Sequence, residues 1–219
     1  MKRIILCAAA LVILCLNTAP VYALGVGAFG HFDGGKMVWN NFGANFMNYG
    51  GGLVIDTNLA GNQLFNYRME FGVTNLSTPF RSKEYDIVKS AVPMMVYPHI
   101  PSLDYTPVTC DSNSIVLTTV HYFGFGVVRS KHLRIWLGPQ VTFGAMVTQL
   151  TGVYAGLGLA AGMNINMGED FTLSLVGAGR FLGGGRFYRH NAIFFRTGGY
   201  GGGGMITAAI IFRVPGDTY

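Results

Sequence analysis

The feature that most constrains this chain is a strict alternation of side-chain type over residues 153–166. Every second position from Val153 to Ile165 is apolar, and the positions between them hold Tyr, Gly, Ala or Asn. A period of two puts the two sets on opposite faces of a β-strand, whereas a helix would scatter both around its circumference. The interval is free of charge and contains Gly158-x-x-x-Gly162, a spacing typical of membrane helices. The alternation nevertheless predicts a strand.

The same alternation recurs along the chain, so that eight strands are predicted in all. It is weaker in the first, second and fourth segments, and both faces of the fourth segment are apolar. The eight segments are residues 24–32, 49–57, 63–74, 115–128, 133–147, 153–166, 171–180 and 205–214.

Charge decides how these strands must be arranged. Five charged residues fall on the less apolar face of their strands: Arg68, Glu70, Arg134, Arg180 and Arg213. A charge that faces lipid near mid-membrane costs about 2–4 kcal/mol, and strands in hydrocarbon must close so that no backbone group stays unpaired. Charged residues make up only 11% of the chain and the mean hydropathy is +0.38, which is unusual for a soluble domain. We therefore expect an all-β, eight-stranded antiparallel up-and-down barrel with its charges inside.

A soluble barrel of the lipocalin type is the main alternative fold, since it also has eight strands and binds a small ligand. It would need an apolar interior and a charged exterior. Residues 63–74 alternate Arg68 and Glu70 with apolar side chains and leave no hydrophilic outer face. The sequence therefore favours the membrane barrel.

The first 23 residues have the layout of a cleaved secretory signal peptide. Lys2 and Arg3 precede an apolar core over residues 4–16, and a small residue, Ala23, stands at the expected cleavage point. We expect residues 24–219 to form one domain. Loss of Lys2 and Arg3 lowers the formal net charge from +5 to +3, which is too small to indicate a nucleic-acid partner.

The connections between strands predict orientation. Residues 58–62, 129–132 and 167–170 are turn-sized, whereas the alternate connections are mostly longer: residues 33–48, 75–114 and 183–204, with a short one at 148–152. Outer-membrane barrels have short periplasmic turns and longer extracellular loops. We therefore expect the second set to be surface-exposed.

Gly25-x-Gly27-x-x-Gly30 matches the spacing of a dinucleotide-binding loop. Such a loop follows a strand and opens a helix, whereas this one follows the expected cleavage site and runs into Asp33-Gly34-Gly35. We interpret the glycines as space in a narrow lumen, and we also expect the Gly50-Gly51-Gly52 run to lie roughly opposite Arg68.

On the signal, the alternating strands and the turn and loop lengths, the chain resembles the small eight-stranded outer-membrane β-barrels, the class of the OmpA membrane domain, OmpX and OmpW. The resemblance implies a bacterial outer-membrane protein in contact with membrane lipid and lipopolysaccharide. Members usually end on an aromatic residue, whereas here Pro215 follows Val214. Because proline cannot donate to the ladder, the last strand is predicted to stop at Val214.

The favoured likeness, to OmpW, implies passage of small solutes, hydrophobic ones among them, through a narrow channel. Arg68, Glu70, Arg134 and Arg180 are the candidate lumen charge network. They either pair to plug the lumen or line a narrow path, and pairing is favoured because isolated buried charges are costly. Eight strands leave no wide aqueous pore.

A second hypothesis is that the protein acts as an adhesin or structural protein through its loops. Residues 75–114 are longer than an ordinary connection, and such loops are usually functional or disordered. In the expected loop at 183–204, Arg186, Tyr188, Arg189 and Arg196 are candidates to contact lipopolysaccharide or a host surface ligand.

A lipid-modifying enzyme is the third hypothesis, and the weakest. Ser114, His121 and Ser130 are the nearest serine and histidine pairings, and His121 is better interpreted as a neutral residue of the outer aromatic belt. The histidines lack metal-ligand spacing. We expect no enzymatic activity, no metal and no cofactor, and a monomer in which Cys110 is unpaired.

Overall fold

The computed structural model describes residues 24–39, 42–57, 64–77, 113–147, 151–168, 170–190 and 193–214. Residues 1–23, with the expected signal peptide, lie outside these ranges, as do 78–112, which include Cys110. Eight strands run through the described residues: β1 Leu24–Trp39, β2 Phe42–Thr57, β3 Phe65–Ser77, β4 Asn113–Arg129, β5 Leu133–Met146, β6 Thr151–Met167, β7 Phe171–His190 and β8 Ile193–Val214.

The strands form a closed barrel in sequence order, with antiparallel pairing throughout and β1 pairing with β8. A circuit along paired residues starts at Phe29, passes through Gly52 on β2 and Gly199 on β8, and returns to β1 at Trp39. The shear of the barrel is therefore ten residues, because Trp39 lies ten positions beyond Phe29. Eight strands with this stagger tilt by about 40° and enclose an interior that side chains can fill.

Burial alternates along the strands as the sequence predicts. On β6, Leu157 and Leu159 are 68% and 72% exposed, whereas the next residue, Ala160, is buried. Large apolar side chains cover the outside, and the polar and charged side chains lie inside. This arrangement is the opposite of a soluble barrel, and it fits a hydrocarbon environment. Within the described ranges, no helix is long and apolar enough to cross a bilayer.

At one end of the barrel, called here the turn end, lie Leu24, Val214 and the strand ends that residues 58–63, 130–132 and 168–170 connect. The opposite end, the loop end, carries the connections 40–41, 78–112, 147–150 and 191–192. The turn at 168–170 contains Gly168, whose φ of 66° suits glycine. β8 stops at Val214, as the following proline predicts.

Two of the expected long loops are instead strand. The intervals 33–48 and 183–204 are largely taken up by β1 with β2 and by β7 with β8, and two residues connect each pair. Glycines in these intervals pair directly across the sheet, for example Gly34 with Gly204 and Gly184 with Gly199. The ladder is made by backbone groups, so weak side-chain alternation did not prevent strand formation. The interval 78–112 remains the long connection.

Candidate functional site

The turn-end half of the lumen holds an ion-pair network around Arg68. This side chain is fully buried and donates to Glu70 Oε1 from Nε at 3.0 Å and from Nη2 at 2.6 Å. Its Nη1 donates to Ser174 at 2.5 Å. The Tyr122 hydroxyl donates to Glu70 Oε2 at 3.0 Å, and the Tyr122 ring lies 5.8 Å from the guanidinium carbon. Glu70 thereby accepts bonds on both carboxylate oxygens.

Asp56 completes this network, although the sequence did not single it out. Its Oδ2 lies 3.9 Å from Arg68 Nη1, and its Oδ1 accepts from Asn66 at 3.3 Å. Arg134 Nη2 donates to Asn66 Oδ1 at 3.4 Å, which links the second arginine to the group. Two arginines thus face two carboxylates, so the turn-end network is electrically balanced.

The expected position of Arg68 opposite the Gly50-Gly51-Gly52 run is wrong. Arg68 pairs across the sheet with Asp56, and Gly50 pairs with Thr74. The register of the hairpin therefore places a carboxylate, and not empty space, beside the guanidinium. The hairpin register, rather than the sequence of the turn, identifies Asp56 as the partner.

The loop-end half holds a second, separate ion pair. Arg180 donates from Nη2 to Asp33 Oδ2 and from Nη1 to Thr142 Oγ1, the latter at 3.3 Å. His31 Nε2 lies 4.0 Å from the same carboxylate oxygen. Asp33 was assigned to a loop from the sequence, but it lies on β1 and is 1% exposed.

The four predicted lumen charges are therefore all buried inside, but they fall into two groups. Arg68, Glu70 and Arg134 belong to the turn-end network, whereas Arg180 belongs to the loop-end pair. Among the described residues, no hydrogen bond or ion pair joins Arg180 to Arg68 or Glu70. Between the groups, Gln140 donates to Thr142 at 2.9 Å.

Apolar side chains close the lumen beyond and between these polar groups. Trp136 is fully buried beside the turn-end network, with its ring 5.8 Å from that of Tyr122. A Cβ added at Gly162 would lie 2.5 Å from its Nε1, so this glycine gives the indole its space. Phe29 and three smaller side chains pack at the turn end. The loop end is capped by an apolar collar of seven buried side chains: Met37, Phe46, Leu76, Val116, Met146, Tyr154 and Leu182.

A cavity of about 20 Å³ remains beneath the apolar collar. Its lining combines members of the collar with Asp33, Asn48 and Arg180, which form its polar floor. The volume suffices for about one water molecule. Among the described residues, buried side chains fill the lumen around this chamber, which is the candidate functional site.

His121 lies on the lipid-facing side, which the sequence could not decide. It is at the centre of β4, eight residues from either end, and therefore outside the aromatic belt at the membrane boundary. The Tyr67 hydroxyl and His121 Nδ1 are 2.7 Å apart, and the Phe143 ring packs edge-on at 6.0 Å. This hydrogen bond lowers the cost of two polar groups in hydrocarbon.

The four loop candidates lie in strands. Arg186, Tyr188 and Arg189 belong to β7, and Arg196 belongs to β8, where it pairs with Phe187. Their assignment to a loop at 183–204 is therefore wrong, because the pairing of β7 and β8 continues to His190 and Ile193. Their proposed contacts with lipopolysaccharide or a host ligand stay a prediction.

No family model matches this chain, and no curated protein matches its sequence. Solved structures do match its fold. The outer-membrane protein OprG from Pseudomonas aeruginosa superposes with a TM-score of 0.50 at 7% identity, over 90% of this chain and 97% of that one. The chain has the fold of the small eight-stranded outer-membrane β-barrels. Neisserial surface protein A matches with a TM-score of 0.40 at 8% identity, over 84% of this chain and 97% of that one.

These solved structures are bacterial outer-membrane proteins, and an outer-membrane location fits the apolar exterior of the present barrel. At this level of identity the likeness concerns the fold, and a specific relation to OmpW does not follow from it. Function has to be argued from the lumen.

Proposed function

We propose that this outer-membrane barrel takes up small apolar solutes through the loop-end half of its lumen, without forming a continuous aqueous pore. The supporting observation is the apolar collar above a polar floor. Lumens of outer-membrane barrels are ordinarily polar, so a ring of apolar side chains inside the wall is unusual. The architectural resemblance to OmpW implies the same class of solute.

The collar is suited to admit a solute because it is built partly from flexible side chains. Met37 and Met146 have unbranched, polarisable side chains that adapt to irregular shapes. Leu76 and Leu182 add rotatable apolar groups. A cavity of about 20 Å³ holds no organic solute, so binding must move these side chains apart.

An open aqueous pore is disfavoured by what lies below the chamber. A hydrated ion would have to pass the Arg180–Asp33 pair and then the Arg68–Glu70 pair, which has the buried Trp136 beside it. Each pair is neutral as a unit and is held by hydrogen bonds. We therefore expect purified protein to be silent in planar-bilayer recordings, and stable conductance steps in the resting protein would contradict a closed lumen.

Uptake of radiolabelled toluene by cells tests the positive part of the proposal. Met146→Trp adds bulk to the chamber and should slow uptake severalfold relative to the unchanged protein. Leu157→Trp is the matched control, because Leu157 is 68% exposed on the outer wall, and it should leave uptake unchanged. Equal uptake by both variants and by cells lacking the protein would overturn the proposal.

The adhesin or structural hypothesis remains a second candidate, carried by the length of residues 78–112. Binding of whole cells to host matrix, with and without this segment, separates it from transport. Loss of binding with retained toluene uptake would assign adhesion to the segment.

We also propose that the protein is not an enzyme. Ser130 bonds the Leu133 carbonyl in a turn, at 2.9 Å, and His121 bonds Tyr67 on the outer wall. These contacts leave each group in a structural role. Measurable phospholipid hydrolysis by purified protein would contradict this view.

A further inference from the structure

The polar floor of the chamber contains buried atoms with unused hydrogen-bonding capacity. Asp33 and Asn48 are cross-strand partners on β1 and β2, and they are 1% and 2% exposed. Asp33 Oδ1, Asn48 Oδ1 and Arg180 Nε have no hydrogen-bond partner among the described residues. All three residues line the cavity of about 20 Å³. Buried polar atoms normally find a partner, so these atoms define what the cavity should hold.

The unused atoms comprise two acceptors and one donor. A hydroxyl group matches this set, because it donates one hydrogen bond and accepts others. Its oxygen is about as large as the water molecule that the cavity accommodates. The neighbouring His31 Nε2 also lacks a hydrogen bond within the described part of the chain, but it does not line the cavity.

Charged head groups fit less well. A carboxylate would face the acceptor oxygens of Asp33 and Asn48, and the one positive charge nearby, Arg180, already pairs with Asp33. An ammonium group would face the Arg180 guanidinium. Since the Arg180–Asp33 pair is neutral as a unit, an ionic head would bring an uncompensated charge into a buried site.

We propose that the chamber selects small uncharged solutes that carry one hydroxyl group, such as short alcohols or phenols. The hydroxyl lies on the floor formed by Asp33, Asn48 and Arg180, and the apolar body replaces collar side chains above it. This inference rests on the proposed function, since it names the solute class for the same chamber. A pure hydrocarbon also enters the collar but leaves the floor atoms unpaired.

Titration of the purified full-length protein in lipid nanodiscs tests this selectivity. The protein carries ¹³C-methyl methionine, and the signals of Met37 and Met146 report on the collar. The probes are 1-hexanol, hexane, hexanoate and hexylammonium, each corrected for its partition into the nanodisc. We expect 1-hexanol to bind about tenfold more tightly than the other three, the effect of about one net hydrogen bond.

Asn48→Leu removes one acceptor from the floor and keeps a side chain of similar size. It should weaken 1-hexanol binding about tenfold and leave hexane binding unchanged. Asn75→Leu is the matched control, because Asn75 donates to Tyr49 on the exposed side at 3.0 Å, and it should change neither. Circular dichroism checks that both variants keep the barrel.

The outcomes separate this inference from the proposed function. If hexane binds as tightly as 1-hexanol, or if an ionic probe binds best, hydroxyl selection is wrong and uptake of apolar solutes still stands. If Asn48→Leu fails to fold, the comparison of the four probes on the unchanged protein decides alone. If no probe moves the methionine signals, the cavity holds water only and both proposals fall.

Discussion

Replacement of Glu70 by Gln should show how far the turn-end network stabilises the barrel. The substitution keeps the volume of the side chain and removes its charge. Glu70 is fully buried, accepts two hydrogen bonds from Arg68 and accepts one from Tyr122. After the change, Asp56 at 3.9 Å is the remaining carboxylate beside Arg68.

The size of the effect follows from these contacts. A hydrogen bond to a charged partner contributes about 1.5–3 kcal/mol and a neutral one about 1 kcal/mol, so two bonds from Arg68 lose about 1 kcal/mol each. The partly uncompensated guanidinium adds a further loss, which brings the total to about 3 kcal/mol. This is the lower end of the roughly 3–5 kcal/mol expected when one partner of a buried ion pair is removed.

Urea unfolding from lipid vesicles, followed by tryptophan fluorescence, measures this free energy. Trp136 is buried in the lumen near the network and reports its opening. Asp170→Asn, at an exposed position in the turn at 168–170, serves as the control and should change stability by less than about 0.5 kcal/mol. A loss below about 1 kcal/mol for Glu70→Gln would refute the claim that this ion pair stabilises the barrel.

Three further changes test the packing and the outer wall by the same unfolding measurement. Gly162→Ala should cost about 1–3 kcal/mol because its Cβ would press on the buried indole, whereas Gly177→Ala, with open space around it, should be nearly neutral; equal effects would contradict the packing argument. Tyr67→Phe should lower the free energy of unfolding by about 1 kcal/mol, because it leaves His121 unpaired in hydrocarbon. This loss should be smaller when His121→Leu is already present, and additive losses would argue against the hydrogen bond between the two residues. Leu159→Arg, at the centre of β6 facing outward, should cost about 2–4 kcal/mol, and a neutral result would place this position outside the membrane.

The alternation of residue type was enough to predict the strands and which face of each one meets lipid. Residues 153–166 show why: a period of two has one structural solution when the apolar set must face hydrocarbon and the small and polar set must not. The same rule placed Arg68, Glu70, Arg134 and Arg180 inside the barrel, where they lie. It failed where the alternation is weak, in residues 33–48 and in the glycine-rich residues 183–204, and these strand intervals were assigned to loops.

Tertiary structure alone decided which of the inward residues meet. Asp56 is separated from Arg68 by a turn and becomes its partner through the register of the hairpin. Asp33 is far in sequence from Arg180 and becomes its partner through closure of β1 on the barrel. The sequence of a single strand specifies which face of the sheet each side chain occupies, but it does not specify the height of that side chain along the barrel axis. The stagger of ten residues around the barrel sets the height of each side chain along the barrel axis. It thereby divides the lumen into a turn-end network with an indole beside it, a loop-end ion pair and an apolar collar. Sequence periodicity therefore determined which side chains face the lumen and which face lipid, whereas the shear of the closed sheet determined which lumen side chains are neighbours.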